Sequence, residues 1–94
     1  MVNDKDAFYS KLKVQLDDTT EFPADYMYKF IVPTTANQVK EVEDLFHKAG
    51  AVINTKKSKT GKYASLTIVI KMKNSETIIA YYKKAEKIKG IVSL

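Results

Sequence analysis

Ser58, Lys59, Lys62, Tyr63 and Ser65 fall within eight residues, with Gly61 between the two lysines. Hydroxyl and ammonium groups at that density donate hydrogen bonds and positive charge, which is the chemistry that holds an anion or an acidic partner segment. They do not make a catalyst. A nucleophile needs a base beside it, and no carboxylate or imidazole lies in or next to this block. The block has a plainer reading as well. Gly61 supplies a tight turn, the lysines are solvated, and Tyr63 packs across strands.

The rest of the chain narrows the chemistry further. Cysteine is absent, which removes thiol catalysis, disulfides and Cys-based metal sites. The single histidine, His47, cannot hold a metal alone and reads as a surface residue beside the apolar stripe of its helix. Asp4, Asp6, Asp17 and Asp18 read as helix-end charges rather than a catalytic pair. The expectation is a protein that is not an enzyme and carries no cofactor and no metal.

Charge is divided unevenly along the chain. Up to Gly50, six Lys stand against nine acidic residues; from Ala51 onward, ten Lys stand against Glu76 and Glu86 alone. The second half therefore presents a positive surface suited to an acidic partner. All 16 basic residues are Lys, a point charge without the bidentate fork of arginine. The opening Met1-Val2-Asn3-Asp4-Lys5-Asp6 is polar and acidic, unlike a secretory leader. No apolar run approaches the roughly 18 residues of a membrane span. A soluble, cytoplasmic protein is expected.

These residues need elements to position them. Asn3 is placed to cap an opening helix over 3–16, with Phe8, Leu12 and Leu16 as a narrow apolar stripe, and Asp17-Asp18-Thr19-Thr20 is expected to end it. A strand over 26–32 alternates Tyr28, Phe30 and Val32 toward a core with Met27, Lys29 and Ile31 on the other face. Thr35-Ala36-Asn37-Gln38 has capping-box spacing, and the helix after it presents Val39, Val42, Phe46 and Ala49 before Gly50. A polar strand over 51–57 reads as an edge, where Lys56 and Lys57 oppose edge-to-edge pairing. The turn at Thr60-Gly61 leads into a strand over 62–71, with Ala64, Leu66, Ile68 and Ile70 inward and Tyr63, Ser65, Thr67 and Val69 outward. Asn74-Ser75 caps a last helix with the stripe Ile78, Tyr82 and Ala85, flanked by Tyr81 and Ile88. Residues 91–94 make a final strand.

The order is βαββαβ after one extra helix. With right-handed crossovers it predicts an α+β, ferredoxin-like sandwich: a four-stranded antiparallel sheet with two helices on one face. Residues 1–21 form an accessory helix, placed near the open sheet face or along an edge, and 22–94 the domain proper.

Phe22-Pro23, Tyr28-Lys29-Phe30, Ser58-Lys59-x-Gly61-Lys62-Tyr63-x-Ser65 and Ile91-Val92-x-Leu94 together resemble the YbeD-like bacterial proteins, a family of unknown function. The likeness runs from about Phe22 to Leu94, and the S-K-x-G-K-Y-x-S block is its most specific part. It implies a ferredoxin-like domain with a topology similar to the ACT regulatory domains, and it brings no settled activity. By that analogy a ligand loop falls at Pro33, Thr34, Thr35 and Asn37, although Thr35 and Asn37 are equally explained by helix capping. The expected role is a regulatory or protein-interaction module that binds an acidic partner or small ligand, with a homodimer as one arrangement. Its candidate patch is Lys29, Ser58, Lys59, Gly61, Lys62, Tyr63 and Ser65. The alternative is weak, salt-sensitive nucleic-acid binding of the RRM kind. There Gly61-Lys62-Tyr63-Ala64-Ser65-Leu66 echoes a base-stacking strand with Tyr63 as its one ring.

Overall fold

A computed structural model describes residues 4–94. The cap expected at Asn3 lies outside them. The elements are α1 (Asp4–Thr19), β1 (Ala24–Pro33), α2 (Gln38–His47), β2 (Val52–Lys57), β3 (Tyr63–Met72), α3 (Ser75–Ala85) and β4 (Val92–Ser93). The strands form one antiparallel sheet in the order β2-β3-β1-β4, the ferredoxin-like arrangement.

Period-two alternation sets the two sheet faces. Tyr28, Phe30 and Val32 of β1 and Ala64, Leu66, Ile68, Ile70 and Met72 of β3 are buried, and they meet Val42 and Phe46 of α2 and Ile78 of α3. Each large apolar side chain buried in this way stabilises the fold by about 1.5–3 kcal/mol. Rings fill the middle of the core. Tyr28 lies 5.0 Å from Phe46 and 5.6 Å from Phe30, centroid to centroid, and its hydroxyl donates to the Ile78 carbonyl at 2.8 Å. That bond ties the central strand to α3.

Several sequence expectations are corrected here. The opening helix does not stop at Leu16 but continues through Thr19. Asp17 stays helical because Lys13, one turn earlier, pairs with it at 2.8 Å and the Ser75 hydroxyl donates to it at 2.6 Å. Thr19 donates its hydroxyl back to the Gln15 carbonyl. The helix does not cover the open sheet face; it stands beside the β4 edge, where Phe8, Tyr9 and Leu12 line a hollow with Ser93 and Leu94. It lies against α3 in the helix layer, with Leu16 buried and Leu12 half-buried, while Phe8 remains 62% exposed. Because α3 is flanked by the sheet and by α1, it buries Ile79 as well as Ile78, and Tyr82 is only half-buried.

At α2, Thr35 is not the cap. The helix opens at Gln38, whose side chain turns back to accept from the Ala36 N–H at 2.8 Å and to donate to Thr35 Oγ1 at 3.2 Å. Ala49 is exposed, since it lies beyond the end of the helix in the turn before Gly50. At α3 the expected cap holds: Asn74 accepts from the Thr77 N–H at 2.9 Å.

Candidate functional site

The sheet register lays out the open face in rows. Val52, Val69 and Met27 stand side by side across β2, β3 and β1, and Asn54, Thr67 and Lys29 form the next row. Lys56, Ser65, Ile31 and Val92 follow, and Tyr63 beside Pro33 closes the face at its hairpin end. Met27 is 55% exposed and Tyr63 52% exposed, and no helix among the described residues covers them. The face is apolar at one end and basic at the other.

Local bonding makes the hairpin rigid at the basic end. The Ser58 N–H donates to the Tyr63 carbonyl at 2.8 Å and the Gly61 N–H to the Ser58 carbonyl at 3.0 Å. The Tyr63 N–H donates to Ser58 Oγ at 3.2 Å. Gly61 has φ of +74°, a left-handed conformation that a side chain would oppose. The Ser58 hydroxyl is therefore part of the turn, and the Ser65 hydroxyl leans on the Lys56 carbonyl at 3.4 Å. The ammonium groups of Lys59 and Lys62 are left as the exposed chemistry of the block.

Two regions that the sequence leaves separate meet at this corner. Thr34 donates its N–H to the Lys62 carbonyl at 3.0 Å and its hydroxyl to the Gly61 carbonyl. The loop after β1 is thereby fastened to the β2–β3 turn. Of the loop residues suggested by the ACT analogy, Pro33 sits opposite Tyr63, Thr34 holds the turn and Thr35 accepts from Gln38. Asn37 makes no capping bond with its side chain and lines a shallow groove of about 320 Å³ with Lys40, Glu43 and Thr55.

A second hollow, of about 360 Å³, opens on the sheet face beside the hairpin. Ile31 and the Tyr63 ring give it apolar surface, and Lys56, Lys59, Ser58 and Ser65 supply its polar groups; Lys57 and Ala64 also border it, although they alternate to the helix face. Lys62 and Gly61 lie at the turn outside it, and Lys29 is one row removed, beside Thr67. Ile31, Lys56 and Lys57 belong to this hollow although sequence reasoning did not assign them to it. The signal that finds Ile31 and Lys56 is register, since both pair with Ser65; Lys57 pairs with the buried Ala64 and borders the hollow from the helix face.

Charge pairing is segregated from this corner. The three ion pairs among the described residues all involve α1: Lys5 with Glu86 at 3.8 Å, and Lys13 with Asp17 at 2.8 Å and with Glu76 at 3.1 Å. There the Lys13 ammonium, followed by the Ser75 hydroxyl, holds the Asp17 carboxyl below its ordinary range. Tyr9 is pushed up to about 12, by desolvation first and then by its hydrogen bond to Glu86. No ion pair reaches Lys29, Lys56, Lys57, Lys59 or Lys62 among the described residues. Those residues also hold no cluster of three His, Cys, Asp or Glu side chains able to bind a metal ion, and no helix long and apolar enough to cross a membrane. His47 lies exposed at the end of α2.

Fold and site together define a small ferredoxin-like α+β domain with one open, partly basic sheet face. Residues 17–94 match the family described as a protein of unknown function, DUF493, and the chain belongs to that family. The YbeD-like resemblance, to a family of unknown function, agrees with this membership. Among solved structures, the uncharacterized protein TM1266 from Thermotoga maritima is similar to this chain, with a TM-score of 0.64 and 19% identity over 74% of this chain and 90% of that one. That likeness is one of fold. No curated protein matches the chain.

Proposed function

We propose that this domain is a non-catalytic interaction module that receives an acidic protein segment at the basic corner of its open sheet face. One observation carries the reading: Lys29, Lys56, Lys59 and Lys62 gather around that corner, with Lys57 on the other face of the same strand, and none has an ion-pair partner among the described residues, while the ion pairs sit at α1. An unpaired cationic patch beside an exposed apolar hollow favours a ligand that brings both carboxylates and apolar contact. The polar groups around it hold backbone turns, which suits a docking surface better than a reaction centre.

The test compares capture from the protein's own cell lysate by wild type and by the double variant Lys59→Ala/Lys62→Ala, with nuclease and at moderate salt. Exposed ion pairs are worth about 0.2–1 kcal/mol each, so the double variant loses roughly two- to thirty-fold in affinity. Both lysines are exposed and unpaired, so its thermal stability stays close to wild type. A defined protein lost with the double variant supports the reading. Equal capture by both forms refutes it, as does recovery of nucleic acid alone that washes off with salt.

A further inference from the structure

The sheet has a free edge at β2, and its geometry can be read bond by bond. In an antiparallel pair, residues alternate between exchanging backbone bonds with the neighbouring strand and turning them away. The bond from the Ser58 N–H to the Tyr63 carbonyl fixes the phase of β2 on β3. By alternation, Lys56, Asn54 and Val52 bond to β3, and Ile53, Thr55 and Lys57 turn their N–H and C=O groups outward. The bonds from Thr34 to Lys62 and from Leu94 to Lys29 give the same phase when carried across β1 and β3. No other backbone bond among the described residues reaches Ile53, Thr55 or Lys57. Six residues of strand thus end in an unpaired row, without proline or bulge.

We infer that the acidic partner docks by adding a strand to this β2 edge, as an extended segment that alternates acidic with apolar or β-branched residues. The inference rests on the proposed function above and specifies its mode. Alternation follows from what flanks the edge. On the open-face side stand Lys56 and, beyond it, Lys59 at the hollow, so carboxylates belong there. On the helix side a groove of about 560 Å³ is lined by Ile53 with Lys40, Glu43, Asp44 and His47. Lys40 and Lys57 balance Glu43 and Asp44 on that side, so a carboxylate gains nothing there, and Ile53 offers apolar contact; uncharged β-branched side chains therefore belong on that side. A second copy of this chain is a poor occupant of the edge, because β2 carries Lys56 and Lys57 and no acid, so two β2 strands bring only like charge to the pairing. An acidic strand reverses the sign of that interaction and gains main-chain bonds besides.

The probe is a capped synthetic peptide alternating Glu with Val and Thr, compared with the same sequence N-methylated throughout, which cannot donate backbone bonds. Amide hydrogen exchange and chemical shifts of the full-length protein are the readouts. Saturating probe slows exchange at Ile53, Thr55 and Lys57 by about tenfold or more, and the N-methylated peptide binds about a hundredfold more weakly. Probe shifts confined to residues 58–65 with unchanged exchange at those three amides, or equal binding of the N-methylated peptide, overturn strand addition and leave acidic docking standing. No binding of either peptide up to millimolar concentration removes both. Slow exchange at those three amides in a free protein that runs as a dimer assigns the edge to a second copy and also overturns the inference.

Discussion

Replacing Gly90 by alanine, and Gly61 by alanine in a separate variant, applies one chemical change at two turns that differ chiefly in their surroundings. Both glycines have positive φ, +77° and +74°, so alanine pays a left-handed penalty of about 1–2 kcal/mol at either site. At Gly61 a new Cβ meets nothing within 4 Å, and the penalty ends there. At Gly90 the Cβ lies 2.7 Å from Pro33 Cγ and 3.0 Å from Pro33 Cδ. The proline ring has little freedom to retreat, because Pro33 ends β1 opposite Tyr63 and the next residue, Thr34, is bonded to the hairpin. Overpacking of this kind adds about 1–3 kcal/mol. Gly61→Ala therefore costs about 1–2 kcal/mol and Gly90→Ala about 2–5 kcal/mol. In a domain of this size each ~1 kcal/mol lowers Tm by roughly 4–8 °C. Urea unfolding with an unchanged m value measures the difference, and amide shifts at Gly61 and Lys62 report whether the displaced Pro33 carries Thr34 with it. Equal losses in the two variants, or a larger loss at Gly61, would refute the packing argument.

Two further predictions rest on the bonds that join α3 to its neighbours. Tyr28→Phe removes the hydroxyl that reaches the Ile78 carbonyl while keeping the ring, and lowers stability by about 0.5–1.5 kcal/mol; an unchanged urea midpoint would show that the bond contributes nothing net. Asp17 is held below the ordinary aspartate range by Lys13 and then by Ser75, so the unfolded chain takes up its proton more readily than the folded one. Its contribution is complete above the unfolded pKa and disappears as pH falls through the folded one. Asp17→Asn accordingly costs stability at neutral pH, and the variant and wild-type curves converge at the lowest pH, followed by urea midpoints; curves that stay parallel into acid contradict the assignment.

The βαββαβ frame was legible because each element carries its own signal. Tyr28, Phe30 and Val32 alternate, as do Ala64, Leu66, Ile68 and Ile70, and all are buried as the alternation requires. Asn74 marks its helix through a bond that spans only three residues. Signals fail where a distant partner decides. Asp17 and Thr19 look like helix breakers, yet the bond from Ser75 to Asp17 joins residues far apart in sequence and no local pattern announces it. Ile79 follows Ile78 directly and belongs to neither the expected stripe nor its flanks, yet it is buried where α1 lies against α3. The candidate site divides in the same way. Its turn was readable from Gly61 and the serines around it. Its union with Thr34 was not, because that depends on the register of β1 against β3. Lys56 and Lys57 were read only as guards of an edge, although the same register places Lys56 at the hollow and Lys57 on the helix side.

The hairpin differs from the rest of the sheet in how far the chain must travel to build it. Lys57 meets Ala64 across a short turn, whereas Ala24 meets Met72 and Phe30 meets Ser93 only after most of the chain has been laid down. Loop closure costs rise with the length of chain enclosed, so β2 and β3 are the one pair of strands that can align cheaply before the others are in place. The backbone under the basic corner thus takes its shape from neighbours in sequence, and β1 is the strand that must find it. Substitutions at Gly61 therefore reach the strand pair that closes the shortest loop, while Lys59 and Lys62, whose side chains hold nothing in the turn, can change without disturbing it.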